Sequence, residues 1–308
     1  MLSIALIGEC MIELNGAPFG AMQQTYGGDS LNTATYLARA MAPLARTQVH
    51  YITALGDDPL SRGMIARWQA DGIQTDYVLR DPVRQPGLYL IQVDARGERT
   101  FLYWRNQSAA RYMLQHPDWP RIEASLPQFD AIYVSGISLA ILPPEDRARL
   151  IALLARCVQQ GGAMLVFDGN YRPKLWQSAD ETRACYQALL PHVDLALMTF
   201  DDEQALWGDV SPEASIARLQ AAGVNECVIK LGAEGALYAR GEAREAVPTV
   251  PVANVVDTTS AGDAFNAGFL AGYAEGKDAR ECCAMGNRLA GIVIQHKGAI
   301  IPKEYCCP

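Results

Sequence analysis

Short apolar runs that alternate with helical patterns restrict the fold of this chain more than any other feature of its sequence. The first run, residues 3–8, is continuously apolar and ends at a glycine, as is typical of a strand buried on both faces. Similar runs follow at residues 131–136, 163–168, 195–198 and 227–230. Because segments with helical spacing lie between them, the pattern predicts parallel strands joined by crossover helices in an α/β fold.

The region between residues 79 and 106 interrupts this alternation. Two strand-like runs, 87–94 and 99–104, flank the turn Ala95-Arg96-Gly97-Glu98, which predicts a β-hairpin. A hairpin inside such a chain suggests a small sheet that projects from the main body. Together with residues of about 9–26 it is predicted to form a lid over the ligand site, within a single domain that spans residues 1–308.

Composition argues against several kinds of partner. The chain has 308 residues and a formal net charge of −8, and it contains no basic run. We therefore expect no nucleic acid or anionic membrane to bind through a basic face, and no apolar stretch reaches the length of a bilayer span. The eight cysteines are scattered without C-x-x-C spacing, which favours reduced thiols and a cytoplasmic protein.

Residues 255–273 (VVDTTSAGDAFNAGFLAGY) predict a strand end, a turn of small residues and a helix. Ser260, Ala261 and Gly262 leave the helix N-terminus without bulky side chains, so its free N–H groups and the helix dipole suit an anion. Asp263 follows in the first turn. An anion site beside a carboxylate is what phosphoryl transfer to an alcohol requires, because the amides stabilise phosphate charge and the carboxylate takes the proton. The alternative is an ordinary capped helix.

Two motifs common in nucleotide-binding proteins are absent. The chain has no G-x-x-x-x-G-K-[ST] segment, which excludes a Walker-type phosphate loop. It also lacks G-x-G-x-x-G after the first strand, which argues against a dinucleotide-binding oxidoreductase.

Two other glycine-containing segments are candidates for ligand contact. In residues 26–32 (YGGDSLN) the glycines permit close approach of a ligand, and Asp29 and Asn32 offer hydrogen bonds to hydroxyl groups. An ordinary turn that caps a helix is the alternative. Residues 230–235 (KLGAEG) follow a predicted strand, where they form either a tight hairpin turn or a nucleotide contact.

The segment Asp257-Thr258-Thr259-Ser260-Ala261-Gly262-Asp263 resembles the D-T-x-x-A-G-D signature of the ribokinase (phosphofructokinase-B type) family of carbohydrate kinases. The similarity extends over essentially the whole chain. It implies a ribokinase-like fold, with a mostly parallel central sheet, helices on both faces and a small β-sheet lid. It also implies ATP and Mg²⁺ at the site, Asp263 as catalytic base, and Ser260, Ala261 and Gly262 as the anion hole.

Within this family, residues 101–106, 135–140 and 168–176 resemble 2-keto-3-deoxygluconate kinases. This implies ATP-dependent phosphorylation of the 6-hydroxyl of 2-keto-3-deoxy-D-gluconate, with fructokinase, ribokinase or 2-keto-3-deoxygalactonate kinase activity, or non-catalytic sugar binding, as alternatives. Arginine suits a substrate carboxylate because it can donate two parallel hydrogen bonds, so Arg105 and Arg172 are expected to select a sugar acid. The family pattern places these residues at the sugar: Gly27, Gly28, Asp29, Asn32, Tyr89, Tyr103, Arg105, Ile137, Asn170, Arg172 and Asp263.

The resemblance also implies nucleotide and cation contacts. Many family members carry N-x-x-E near the metal, and here the best register gives Thr199 and Asp202, while a slip of one residue gives Phe200 and Glu203. Asp202 is predicted to bind Mg²⁺ through water. The nucleotide residues are Asn170, Arg172, Lys230, Gly232, Ala233, Gly235, Gly262 and Asn287. A monovalent-cation loop would include Asp257 and Thr259, with potassium dependence left open.

The lids of this family often pair between subunits. A homodimer formed through the lid, or a larger assembly, is therefore implied by the resemblance. The expected small-molecule partners are the sugar acid and ATP.

Overall fold

Two β-sheets of different size organise the chain in the computed structural model, whose described residues are 2–44, 47–93 and 99–306. The strands are β1 (Leu2–Ile7), β2 (Met11–Gly16), β3 (Met22–Gly27), β4 (Thr47–Gly56), β5 (Ile73–Gln74), β6 (Val78–Asp81), β7 (Leu88–Val93), β8 (Arg99–Trp104), β9 (Ala131–Ser135), β10 (Met164–Asp168), β11 (Leu195–Thr199), β12 (Glu226–Lys230), β13 (Ala236–Arg240) and β14 (Ala243–Val247).

The α-helices are α1 (Asp29–Met41), α2 (Pro59–Ala70), α3 (Trp119–Ser125), α4 (Gly136–Ala140), α5 (Pro144–Arg156), α6 (Ala179–Leu189), α7 (Phe200–Trp207), α8 (Pro212–Ala221), α9 (Ala261–Ala274), α10 (Ala279–Val293) and α11 (Lys303–Cys306). Across the described ranges, none of the helices combines the length and the apolar character that crossing a bilayer demands.

The large sheet has the strand order β14-β13-β12-β11-β10-β9-β1-β4-β5, and β6 pairs with β4. Its pairs are parallel from β5 through β12. They become antiparallel only where β13 and β14 extend the sheet at one edge. The predicted mostly parallel α/β sheet is confirmed.

Alternate residues of β1 show that helices cover both faces of the large sheet. Ala5 and Ile7 join one apolar core with side chains from α3, α5, α6 and α8. Ile4 and Leu6 join the other core with side chains from α1, α2, α9 and α10. Since each such strand is buried on both sides, its sequence is continuously apolar rather than alternating.

The second sheet has the order β3-β2-β7-β8. Its β7 and β8 pair antiparallel from Leu88 opposite Trp104 onward, as the hairpin prediction required, whereas the predicted turn at 95–98 lies outside the described residues. β2 pairs with β7 in parallel and with β3 antiparallel. The predicted lid range of 79–106 includes most of β6, which pairs with β4 in the large sheet, so the second sheet takes up only the later part of that range.

The carboxyl ends of four neighbouring strands position the candidate site. β9, β10, β11 and β12 run parallel and end at Ser135, Asp168, Thr199 and Lys230. Helix α9 begins beside them, since the Lys230 ammonium donates to the side chain of Asn266 at 3.0 Å. Polar groups from distant parts of the chain therefore meet at one edge of the sheet.

Candidate active site

A cavity of about 710 Å³ opens at this edge of the large sheet, beside the N-terminus of α9. The strand ends and the loops after them supply its polar wall: Asp168, Asn170, Arg172, Thr199, Asp202 and Lys230. The start of α9 and the turn before it supply Thr258, Thr259, Ala261, Gly262 and Asp263. In open α/β sheets ligands bind outside the carboxyl ends of the strands, which is where this cavity lies.

The first turn of α9 offers two backbone amides to an anion. Within the described part of the chain, the N–H groups of Gly262 and Asp263 have no acceptor, as is usual at a helix N-terminus. The positive end of the helix dipole strengthens their attraction for negative charge. The N–H of Ala261, which was also predicted for the anion hole, instead donates to the Thr258 carbonyl at 3.2 Å.

Asp263 is a buried carboxylate held by two donors. Its Oδ2 accepts hydrogen bonds from Asn32 Nδ2 at 2.8 Å and from Ser260 Oγ at 3.0 Å. Burial, with the nearby carboxylates of Asp29 and Asp168, raises the pKa of Asp263 to about 7, while Asn32 and Ser260 oppose the rise. A carboxylate that titrates near neutral pH is suited to take a proton from an alcohol.

A hydrogen-bonded network lies beneath the cavity. Lys230 Nζ donates to Asp168 Oδ1 at 3.2 Å and to Asn266 Oδ1 at 3.0 Å. Asn266 Nδ2 and the Tyr133 hydroxyl both donate to Asp168 Oδ2 at 3.0 Å. A Cβ added at Gly262 would lie 3.7 Å from Lys230 Nζ, so the network fixes the ammonium group beside the anion hole.

The two registers proposed for the metal-binding residue differ in whether their side chains reach the cavity. Thr199 and Asp202 line the cavity, and Arg172 Nη1 lies 3.4 Å from both carboxylate oxygens of Asp202. Glu203 is only 1% exposed and forms an ion pair with Arg218, away from the cavity wall. Burial raises the pKa of Asp202, and Arg172 opposes this rise.

The described residues contain no cluster of three or more histidine, cysteine or acidic side chains that could hold a metal ion. A single carboxylate at the cavity is still compatible with Mg²⁺, because Mg²⁺ keeps several waters and is commonly bound by one or two carboxylates together with substrate phosphates.

Helix α1 connects the predicted sugar motif to Asp263. While Asn32 Nδ2 donates to Asp263, Asn32 Oδ1 accepts from the Gly28 N–H at 3.4 Å. Asp29 Oδ2 accepts from Asn170 Nδ2 at 2.8 Å. Asn170 has a φ of 36°, an uncommon backbone conformation for a non-glycine residue that is found disproportionately at functional sites.

The glycine pair before α1 packs tightly against the second sheet and the loop after β1. A Cβ at Gly28 would lie 2.1 Å from the carbonyl oxygen of Glu9, and one at Gly27 would lie 2.8 Å from the Tyr89 hydroxyl. That hydroxyl donates to the buried carboxylate of Glu13. The two glycines thus bring the start of α1 directly against Tyr89.

Both predicted carboxylate-binding arginines act electrostatically on Tyr103. Burial raises the pKa of Tyr103, and the guanidinium groups of Arg105 and Arg172 both oppose this rise. The guanidinium carbon of Arg105 lies 5.9 Å from the centre of the Tyr103 ring. Arg105 also forms a largely buried ion pair with Glu9. Arg105 and Arg172 therefore both act electrostatically on Tyr103, and Arg105 already has an anionic partner.

The segment that supplies Asp263 and these amides carries the signature of a known family. Residues 1–306 match the family model described as pfkB family carbohydrate kinase. The chain belongs to this family. Its resemblance to carbohydrate kinases, predicted from the sequence, is confirmed.

Individual relatives and structures agree with the assignment. The 2-dehydro-3-deoxygluconokinase of Haemophilus influenzae is 58% identical over 98% of this chain and 96% of its own. A PfkB protein from Polaromonas sp. JS666 has a TM-score of 0.84, at 25% identity over 96% of both chains. An Escherichia coli protein provisionally described as a ribokinase II, solved with ATP and Mg²⁺, has a TM-score of 0.81 at 23% identity, over 97% of this chain and 94% of its own.

The other predicted residues of this pfkB-family chain divide between the cavity and its surroundings. Gly232, Ala233, Gly235 and Asn287 line the cavity. The first three also belong to the turn of the β12–β13 hairpin, so hairpin and cavity wall coincide. Ile137 is half-buried against the apolar core and does not line the cavity.

The predicted cation loop is held together by hydrogen bonds. Asp257 Oδ1 accepts from the N–H of Thr259 at 3.0 Å, and its Oδ2 accepts from the N–H of Gly298 at 3.0 Å. The two predicted residues therefore lie side by side, directly before the anion hole.

Sequence reasoning missed two parts of the site. The apolar wall of the cavity includes Val250, Val252, Val255 and Ile294, and 80% of Val250 is exposed. The available signal was the apolar run at residues 247–256, which lacks helix or strand periodicity. Glu9 and Glu13 were also missed, although two acidic residues within a largely apolar segment pointed to buried partners.

Proposed function

We propose that this chain transfers the γ-phosphoryl group of ATP to the 6-hydroxyl of 2-dehydro-3-deoxy-D-gluconate, the compound also called 2-keto-3-deoxygluconate. The products are the 6-phosphate ester and ADP. The observation that carries the reaction type is Asp263, a buried carboxylate directly beside two amides of α9 that have no acceptor among the described residues. The full-length relative with 58% identity supports the choice of sugar acid.

In the proposed mechanism Asp263 accepts the hydroxyl proton as the 6-oxygen attacks the γ-phosphorus. A new O–P bond forms in line with the bond to the β-phosphate that breaks. The amides of Gly262 and Asp263 stabilise the charge on the transferred group, and the Lys230 ammonium lies beside them. These donors are in place before the ligands arrive, so little reorganisation accompanies the reaction.

The cations have candidate positions on the same side of the site. Mg²⁺ bound with the nucleotide would neutralise phosphate charge, and Asp202 is the cavity carboxylate suited to hold it through water. We assign a monovalent cation, with K⁺ as the candidate, to the loop of Asp257 and Thr259.

The nucleotide and the sugar acid are assigned to opposite ends of the site. The apolar cavity wall, with Gly232, Ala233, Gly235 and Asn287, suits the adenosine. Arg105 and Arg172 suit the sugar carboxylate because guanidinium groups bind carboxylates through paired hydrogen bonds. For a neutral sugar, two arginines at this place have no function, which favours the sugar acid over fructose or ribose.

The second sheet is proposed to act as a lid and as a subunit contact. Its strand β8 carries Tyr103, whose ring lies near Arg105, and closure of this sheet over the sugar would exclude water. Leu90 and Leu102 pair across β7 and β8, and Leu102 and Trp104 are exposed. This face is a candidate for the homodimer contact, which light scattering across a range of protein concentrations would test.

A substrate panel assayed by ADP release tests the proposal. We expect the highest kcat/KM for 2-dehydro-3-deoxy-D-gluconate, compared with its galactonate-derived epimer, fructose and ribose. Faster turnover of fructose or ribose would make the substrate assignment wrong. Saturable sugar binding without ADP formation would identify a sugar-binding protein in place of a kinase.

A further inference from the structure

The two oxygens of the Asp263 carboxylate have different surroundings. Asn32 and Ser260 both donate to Oδ2. Within residues 2–44, 47–93 and 99–306, Oδ1 has no hydrogen-bond donor, although Asp263 lines the cavity. One oxygen is thus held by the protein, and the other is available to a ligand.

Ser260 reaches Asp263 at the expense of its usual role at a helix start. Serine at an N-cap commonly accepts a hydrogen bond from an amide of the first turn. Ser260 is the residue before α9, yet its side chain makes no capping bond, and its hydroxyl instead donates to the Asp263 carboxylate at 3.0 Å. Its 1% exposure means that solvent has little access to replace this hydroxyl.

We infer that Ser260 is a positioning residue for the catalytic base: with Asn32 it fixes Oδ2 of Asp263 and leaves Oδ1 to take the proton of the substrate hydroxyl. This role differs from the predicted one, in which Ser260 belonged to the anion hole. The inference rests on the proposed kinase function of the same site.

Charged groups from two other elements also act on this carboxylate. Asp29 of α1 and Asp168 at the end of β10 favour its protonated form, whereas Lys230 at the end of β12 is held by Asp168. A hydroxyl that donates to a carboxylate favours the charged form. Removing the Ser260 hydroxyl should therefore raise the pH at which Asp263 becomes an active base.

The test is the pH dependence of kcat/KM for Ser260→Ala, measured between pH 5.5 and 9 on the sugar acid. The shift reports how much more strongly the Ser260 hydroxyl bonds the charged carboxylate than the protonated one, and it amounts to about 0.5 to 1 pH unit. We expect the acid limb to move to higher pH by that amount, with roughly 3- to 10-fold lower kcat/KM at pH 6 and little change at pH 9. The KM for ATP should stay as in the wild type.

Three further variants distinguish positioning from packing. Ser260→Thr retains a hydroxyl and should keep the wild-type acid limb, while Ser260→Gly provides a second loss variant if the alanine variant folds poorly. Thr33→Val removes a different nearby hydroxyl, one that donates to the backbone carbonyl of Asp263 at 3.4 Å. It should leave the acid limb in place.

Two results would overturn the inference. In the first, the loss variants keep the wild-type acid limb, even if kcat/KM falls equally at every pH. In the second, the limb is also unmoved but the KM for ATP rises, which would mean that the hydroxyl contacts the nucleotide. Failure of the proposed function looks different, because the wild type would then release no ADP with any sugar of the panel.

Discussion

The phosphate side and the sugar side of the site hold their polar groups in different states. At the start of α9, among the described residues, the amides of Gly262 and Asp263 have no acceptor. In and beside the second sheet, by contrast, two of the groups expected to bind the sugar are already paired within the protein. Arg105 is paired with Glu9, and Tyr89 donates to Glu13.

This difference assigns catalysis to the phosphate side and selection of the substrate to the sugar side. Donors that are fixed and free before binding can stabilise charge that develops during phosphoryl transfer. Groups that are already paired must exchange partners when a ligand binds, so the ligand has to replace what is lost. A carboxylate can replace Glu9 on Arg105, whereas a neutral hydroxyl leaves a buried charge poorly paired. Selection of an acid would then follow from the pairing itself.

Asp263→Asn should have the largest effect, because it removes the base from the phosphate side while preserving shape. General base catalysis contributes about 10²- to 10⁴-fold to the rate. We expect kcat to fall by about 10⁴-fold, the upper end of that range, and the melting temperature to stay unchanged. In the wild type kcat/KM should rise with pH through about 7, where the raised pKa of Asp263 lies, since only the deprotonated carboxylate accepts a proton. Substantial activity in the asparagine variant would exclude Asp263 as the base.

Lys230→Met tests whether the prearranged charge matters for catalysis. Removing a charge from a preorganised anion site costs roughly 10²-fold in kcat. The variant also leaves Asp168 buried without its cation, at a cost of about 3–5 kcal/mol in the free energy of unfolding. The double variant Lys230→Met with Asp168→Asn should regain stability without regaining kcat. Equal recovery of both would reduce Lys230 to a structural residue.

Arg105→Ala tests the paired state of the sugar side. Hydrogen bonds to charged groups contribute about 1.5–3 kcal/mol, so the KM for the sugar acid should rise about 10- to 100-fold while the KM for ATP stays the same. Because this variant leaves Glu9 unpaired, Arg105→Met combined with Glu9→Gln is the matched control.

Glu9→Gln alone should change the KM for the sugar acid in the opposite direction. It releases Arg105 from its internal partner, so it should lower the KM for the sugar acid. A higher KM in this variant would mean that Glu9 orients Arg105 and does not compete with the substrate.

Arg172→Ala affects the residue that lies between the two sides. Arg172 forms an ion pair with Asp202 at 3.4 Å and acts electrostatically on Tyr103, and about half of its side chain is exposed. We expect roughly a 10-fold rise in the KM for the sugar acid and a smaller change for ATP. If the Mg²⁺ requirement changes and the sugar KM does not, Arg172 belongs to the phosphate side alone.

Local sequence patterns were sufficient to predict the buried strands and the start of the helix that carries Asp263. The strands of the large sheet are apolar because both faces are covered, and the small residues before Asp263 predicted a helix start. The choice between Asp202 and Glu203 was not local. Successive helical residues point about 100° apart, so only the placement of α7 directs Asp202 to the cavity and Glu203 to Arg218.

The long-range pairing of side chains on both sides of the site was also beyond the reach of sequence patterns. Glu9 and Arg105 are 96 positions apart, and Asn266 and Asp168 are 98 positions apart. Nothing in the spacing of such residues indicates that they will meet. They do so because the strand order brings the loop after β1 beside the end of β8, and α9 beside β10.

Tyr89→Phe tests whether a second group on the sugar side exchanges partners when the sugar binds, and its expected effect is the smallest. The Tyr89 hydroxyl donates to Glu13 and lies beside Gly27 at the start of the sugar motif. If it transfers to a sugar oxygen on binding, its loss should raise the sugar KM about 2- to 10-fold, the range of one neutral hydrogen bond. Tyr103→Phe, which removes a half-exposed hydroxyl from the same sheet, is the matched comparison. An unchanged KM in Tyr89→Phe would mean that this hydroxyl stays with Glu13, and that partner exchange on the sugar side is confined to Arg105.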